Sequence, residues 1–187
     1  MKFLCLHGLR HNGVKLKKSM DTFIRKCKGK GIEFVFIDSP FLYSDEEKDL
    51  RKWYSASKEN IFTLDKYDTL QESLKYVKEK YEEYKCDSLI GFSQGANIVQ
   101  VLLYQGLKVD KVILVSPFLV TDKSVELKKV EDKIFIMAGL KDTLLPIDKS
   151  KELLTYFPNA TFYEHSGGHY FSCTSETVSK LFEYLSI

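Results

Sequence analysis

Short apolar runs alternate along this chain with longer stretches of helical period. The apolar runs are Lys2–Leu6, Glu33–Ile37, Ser88–Ile90, Lys111–Val115, Lys133–Ala138 and Thr161–Glu164. Most are rich in Val, Ile, Leu and Phe, which predicts strands covered on both faces, as in a parallel sheet. The spacing of apolar residues between them predicts helices at Ser19–Lys28, Thr69–Tyr84, Ala96–Gln105 and Lys149–Tyr156. A last helix, Ser175–Leu185, places Val178, Leu181, Phe182 and Leu185 on one face. Strands and helices in alternation predict a single α/β domain over residues 1–187. Two connections exceed the usual length. Residues 38–66 carry Phe41, Tyr43, Trp53, Tyr54 and Phe62, and residues 116–131 carry Phe118, Leu119 and Val120. Both leave the expected C-terminal ends of strands, the edge at which open α/β sheets bind ligands.

Composition narrows the class without naming it. The chain has 187 residues, enough for one sizeable core, and a formal net charge of +2, which implies no strong field for nucleic acid. Its basic concentration, residues 15–30, reads as a solvated helix face. No apolar run approaches the ~20 residues of a membrane-spanning helix, and the N-terminus lacks the pattern of a secretory signal. Cys5, Cys27, Cys86 and Cys173 show no paired spacing, so free thiols and a cytoplasmic location are expected.

The chemistry begins at Gly91-Phe92-Ser93-Gln94-Gly95, a G-x-S-x-G motif between an apolar strand and a helical run. This is the sequence form of a nucleophile elbow, in which a serine rides a tight strand-to-helix turn. Side chains in place of the glycines would collide with the neighbouring strand and helix. A serine hydroxyl needs a base, and in this kind of sheet the partners follow in the order Ser, acid, His. Of the four histidines only His165 and His169 come after Ser93. His165 ends a strand, whereas His169 follows Gly167-Gly168 in a loop suited to return a side chain over the sheet edge. The acid is expected after the preceding strand, in Gly139-Leu140-Lys141-Asp142, which selects Asp142 over Asp122 and Asp148. Acyl transfer also needs donors for an oxyanion. The Gln94 N–H at a helix start is one, and the Leu9 N–H beside Gly8 is the other. His7 precedes the serine and reads as scaffold. Gly8 to Gly13 has phosphate-loop spacing, but the required lysine is out of register. His165, His169 and Cys173 recur every four residues, yet Gly167-Gly168 opposes a helix there, so no metal site is expected.

With these pieces in place the chain resembles the FSH family of serine hydrolases in the α/β-hydrolase superfamily. The matching segments are Leu4-Cys5-Leu6-His7-Gly8 with Asn12-Gly13, Arg51-Lys52-Trp53-Tyr54, Gly91 to Ala96, Ser116-Pro117-Phe118, Gly139 to Asp142 and Gly167-Gly168-His169. Carboxylesterases and acyl-protein thioesterases are similar too, sharing His7-Gly8-Leu9 of their first-loop pattern. The resemblance implies a compact α/β-hydrolase fold of about six mostly parallel strands, in spatial order 2-1-3-4-5-6, flanked by helices on both faces and without a large cap. It implies a triad of Ser93, Asp142 and His169, oxyanion donors at Leu9 and Gln94, and esterase or thioesterase activity on a small acyl ester or thioester, with no cofactor. Trp53, Tyr54, Phe118 and Leu119 are the expected substrate contacts. Two other readings stay open: a thioesterase or carboxylesterase acting on a protein or lysolipid, and a catalytically silent binding protein of the same fold.

Overall fold

A computed structural model describes residues 1–55 and 62–187. Its centre is a six-stranded sheet built from β1 (Lys2–Leu6), β2 (Glu33–Ile37), β5 (Ser88–Phe92), β6 (Val112–Val115), β7 (Phe135–Gly139) and β8 (Thr161–His165). All of its pairings are parallel, in the order β2-β1-β5-β6-β7-β8. That is the expected 2-1-3-4-5-6 order. The remaining strands, β3 (Phe41–Leu42) and β4 (Arg51–Lys52), form a small antiparallel hairpin inside the first long connection. The helices are α1 (Gly13–Ser19), α2 (Asp21–Cys27), α3 (Leu70–Glu83), α4 (Gln94–Tyr104), α5 (Ile147–Lys151) and α6 (Ser175–Leu185).

Side-chain alternation along each strand explains why helices cover both faces. Leu4 and Leu6 of β1, Val112 and Leu114 of β6 and Ile136 of β7 belong to one apolar cluster, closed by α3 and α4. Their neighbours Phe3, Cys5, Ile113, Val115, Phe135 and Met137 belong to a second, closed by α1, α2 and α6. A strand with both faces buried has no room for polar alternation, so β5, β6 and β7 read as continuous apolar runs. The edge strands β2 and β8 are only partly buried, and there Glu33 and Glu164 are tolerated.

Two helices depart from expectation. In place of Ser19–Lys28 there are two short helices hinged at the buried Met20. Asn12 starts the first, its side chain accepting the Lys15 N–H at 2.8 Å, and Asp38 accepts the Gly13 N–H at 2.7 Å. Leu16, Met20, Phe23 and Cys27 then run as one buried stripe across the break. The expected helix Lys149–Tyr156 is α5, which begins at Ile147, plus a single 3₁₀ turn over Glu152–Thr155. The four cysteines are free, three of them buried. Among the described residues no helix is long and apolar enough to cross a membrane.

Helix α6 is held by its N-cap, Thr174, which accepts the Thr177 N–H, and by Val178, Leu181 and Leu185 on the second cluster. Leu181 is fully buried. Leu181→Ala is expected to cost about 2–5 kcal/mol in urea unfolding. A loss under about 1 kcal/mol would contradict this packing.

Candidate active site

The turn from β5 into α4 is forced by close contact. A Cβ on Gly95 would lie 2.5 Å from the Leu6 carbonyl oxygen and 2.6 Å from that of His7. A Cβ on Gly91 would lie 2.7 Å from Ala96 Cα. Neither position admits any residue but glycine, and the helix therefore starts directly against the end of β1. Ser93, between them, is held at φ 51° and ψ −115°. Such a conformation costs on the order of 1–3 kcal/mol and persists only where its surroundings impose it. The Ser93 N–H is tied to the Val115 carbonyl at 2.9 Å. Gln94 opens α4, where first-turn N–H groups lack helical acceptors and the helix dipole favours negative charge.

The sheet edge brings the other residues of interest to the same place. Asp142 follows β7 and is almost fully buried. Its Oδ1 accepts the N–H groups of Leu144 and Leu145 at 3.0 and 2.8 Å, while Oδ2 meets His169 Nδ1 at 2.6 Å. A carboxylate only accepts, so His169 Nδ1 carries a proton, which in the neutral imidazole leaves the lone pair on Nε2. The loops bearing the two residues are stitched together by Leu140 N–H to His165 O at 2.8 Å and Lys141 N–H to Gly167 O at 2.9 Å. The His169 ring lies 5.0 Å from that of Phe92. Ser93, Gln94 and His169 line one cleft of about 370 Å³, with Gly8, Leu9, Tyr54, Phe118 and Leu144 among its walls.

The other carboxylates and imidazoles have different surroundings. Asp122 is a turn staple: Oδ2 accepts the Tyr67 N–H at 2.5 Å, and Oδ1 accepts the Ser124 N–H and hydroxyl. Asp148 is exposed on α5. His165 ends β8 and accepts the Gly167 N–H at Nδ1, 3.1 Å away; burial pushes its pKa down, against the pull of Asp142. His165, His169 and Cys173 are spread over a strand end and a loop rather than a helix. Of the expected substrate contacts, Tyr54 and Phe118 line the cleft, whereas Trp53 and Leu119 are not among its lining residues. Trp53 is fully buried, with its indole N–H given to the His7 carbonyl at 2.8 Å, so it is packed as scaffold.

Comparison with known proteins decides the family. A family model for serine hydrolases (FSH1) matches residues 1–181. The chain belongs to that family. Esterase CG5412 of Drosophila melanogaster is 32% identical over 197 residues, covering 94% of this chain and 70% of the relative. Esterase OVCA2 of Homo sapiens is 24% identical over 202 residues, covering 91% and 88%. Among solved structures, the Bacillus cereus carboxylesterase superposes with a TM-score of 0.73 at 22% identity, covering 98% of this chain and 87% of that one. Arabidopsis thaliana SOBER1 gives a TM-score of 0.73 at 18% identity, covering 100% and 97%. These likenesses establish the α/β-hydrolase fold.

The serine hydrolase uses polar groups of α4 to hold the cleft walls. The Gln94 side chain accepts the Trp53 N–H at 2.7 Å and donates to the Tyr54 carbonyl at 2.9 Å. Three residues on, Asn97 accepts the Tyr54 hydroxyl at 3.1 Å and donates to the Phe118 carbonyl at 2.9 Å. Three further on, Gln100 donates to the same carbonyl at 2.9 Å. The 94, 97, 100 spacing puts all three on one helix face. It is visible in the sequence as Gln-x-x-Asn-x-x-Gln, a polar stripe in an otherwise apolar helix that sequence reasoning passed over. Leu144 and Leu145, also passed over, follow Asp142 after a single intervening residue, Thr143.

His7 is fully buried between these parts. Its Nε2 accepts the Ser39 N–H at 3.1 Å, its Nδ1 faces the Gly8 carbonyl at 2.7 Å, and its ring stacks on Trp53 at 5.1 Å. Burial pushes its pKa down to about 4, with Arg51 and His11 adding to the fall and the Gly8 bond and Asp38 opposing it. In the unfolded chain an imidazole takes its proton near pH 6.5. Between about 4 and 6.5 the unfolded state therefore holds the extra proton. Stability from His7 is complete above that window and is lost as pH falls through it, by up to about 3 kcal/mol. Urea unfolding from pH 7 to 4.5 is expected to show a shallower loss in His7→Gln than in the native protein. Equal slopes would contradict the buried neutral imidazole.

Proposed function

We propose that this serine hydrolase cleaves a carboxylic ester or thioester of an acyl chain through an acyl-enzyme on Ser93. His169 Nε2 takes the Ser93 proton as Oγ attacks the substrate carbonyl carbon. The carbonyl oxygen becomes an oxyanion held by the N–H groups of Leu9 and Gln94. His169 returns the proton to the departing alcohol or thiol as the bond to carbon breaks. Water then attacks the acyl-enzyme with the same base, releasing the acid and restoring Ser93. Asp142 keeps His169 in the productive tautomer and stabilises the imidazolium. Every step uses protein groups and water. The observation that carries this reading is the 2.6 Å His169–Asp142 hydrogen bond beside a cleft that Ser93 and His169 share. Tyr54, Phe118 and Leu144 make the cleft walls largely apolar, which suits a single acyl chain.

Hydrolysis of p-nitrophenyl esters tests the roles. Ser93→Ala is expected to abolish turnover, and Asp142→Asn to lower kcat by about 10³–10⁴ while the protein stays folded. Undiminished turnover in Ser93→Ala would overturn the assignment. Acyl chain length gives a second test. Rates are expected to rise from acetyl to longer linear chains and to fall for Phe118→Asp. A strict preference for acetyl esters would contradict an apolar acyl site.

A further inference from the structure

We propose that His7 is a positioning residue of the oxyanion site, setting the direction of the Leu9 N–H by clamping the carbonyl of the Gly8–Leu9 peptide. The proposal rests on the reading of Leu9 as an oxyanion donor. Its argument is geometric. Ser39 N–H occupies His7 Nε2 as an acceptor, so the ring proton resides on Nδ1, where it can be donated to the Gly8 oxygen 2.7 Å away. In a trans peptide the C=O and N–H point in opposite directions within one plane. Fixing the Gly8 carbonyl toward the buried imidazole therefore turns the Leu9 N–H away from it. The proposal has that side face the cleft. Gly8 abuts the elbow so closely that a Cβ on it would lie 3.3 Å from Ser93 Cβ, and both Gly8 and Leu9 line the cleft with Ser93.

The clamp is part of a chain of hydrogen bonds linking the two donor residues. The Gln94 side chain holds the Trp53 backbone N–H at 2.7 Å. The Trp53 indole N–H holds the His7 carbonyl at 2.8 Å, and its ring stacks on the imidazole at 5.1 Å. The His7 imidazole holds the Gly8 carbonyl. The Trp53 carbonyl is itself held by the Ser73 hydroxyl at 2.5 Å and the Thr69 hydroxyl at 3.2 Å, from the start of α3. Leu9 and Gln94, which are far apart in sequence, are thus braced through the same buried residue, Trp53: Gln94 at its backbone N–H and the His7–Gly8 segment at its indole. A preorganised donor acts without reorganisation cost during reaction, and misdirecting one typically costs ~10²–10³ in kcat. A residue that only filled space at position 7 would need neither a fixed tautomer nor a hydrogen bond to this particular peptide.

Two substitutions separate the two ends of the ring. Asn can offer an N–H near the place of Nδ1 and keep the Gly8 clamp, while Gln can keep the Ser39 contact nearer the place of Nε2. His7→Asn is expected to retain kcat within about tenfold of native. His7→Gln is expected to lose about 100-fold in kcat with KM changed less than threefold, and to bind a trifluoromethyl ketone of the acyl chain weaker by a similar factor. Native kcat and ketone affinity in a folded His7→Gln would overturn the proposal, as would equal kcat losses in both variants. Should neither variant fold, nitrogen NMR of the native protein decides: a protonated Nδ1 and bare Nε2 from pH 5 to 8 are expected, and the opposite tautomer overturns the clamp. Failure of the underlying acyl-enzyme reading is distinguishable, because Ser93→Ala with His7 intact would then keep its hydrolysis, whatever the His7 variants do.

Discussion

The start of α4 lies so close to the end of β1 that no Cβ fits between them, and the arrangement of the site follows from that contact. With Gly95 against the carbonyls of Leu6 and His7, the chain must turn sharply out of β5, and Ser93 takes a positive φ at the turn. The same contact sets the loop after β1 beside the helix N-terminus. The Gly8–Leu9 peptide and the Gln94 N–H thereby border one cleft. The strain at Ser93 is sustained by a rigid setting: β5 between β1 and β6, and α4 buried along its whole length.

A buried apolar helix that carries Gln94, Asn97 and Gln100 on one face would be costly if those amides were unpaired. Instead Gln94 and Asn97 pair both amide atoms and Gln100 its N–H, supplying the hydrogen bonds that fix two loops of irregular backbone, at Trp53-Tyr54 and at Phe118. The loops have few helical or sheet bonds of their own. Their shape is borrowed from the helix that also carries the elbow. Cleft walls and candidate nucleophile are therefore positioned by one element, so a shift of α4 would move both together.

Much of this was legible in the sequence. Six apolar runs marked the strands of the sheet, each within a residue or two of its strand, whereas their spatial order came from the resemblance to α/β hydrolases. Ser93, Asp142 and His169 were singled out by motif and chain order, and the structure brings all of them to the C-terminal edge of the sheet. The misreadings share a physical origin. The hinge at Met20 was hidden because its apolar stripe runs on unbroken, while the cap at Asn12 looked like loop. Trp53 read as a substrate contact on a long connection, yet it is buried and paired. Its burial depends on partners some forty residues away in sequence, His7 on one side and Gln94 on the other. Local pattern cannot report such a contact, and the same is true of the tautomer of His7.

The central claim is that Ser93 is the nucleophile, made reactive where it stands. The most direct measurement is to treat the native protein with a fluorophosphonate and locate the adduct by peptide mass spectrometry. The expected result is a single phosphonyl group on the peptide containing Ser93, and none when the protein is unfolded before treatment. An adduct on any other residue, or no adduct on a protein that hydrolyses esters, would contradict the account.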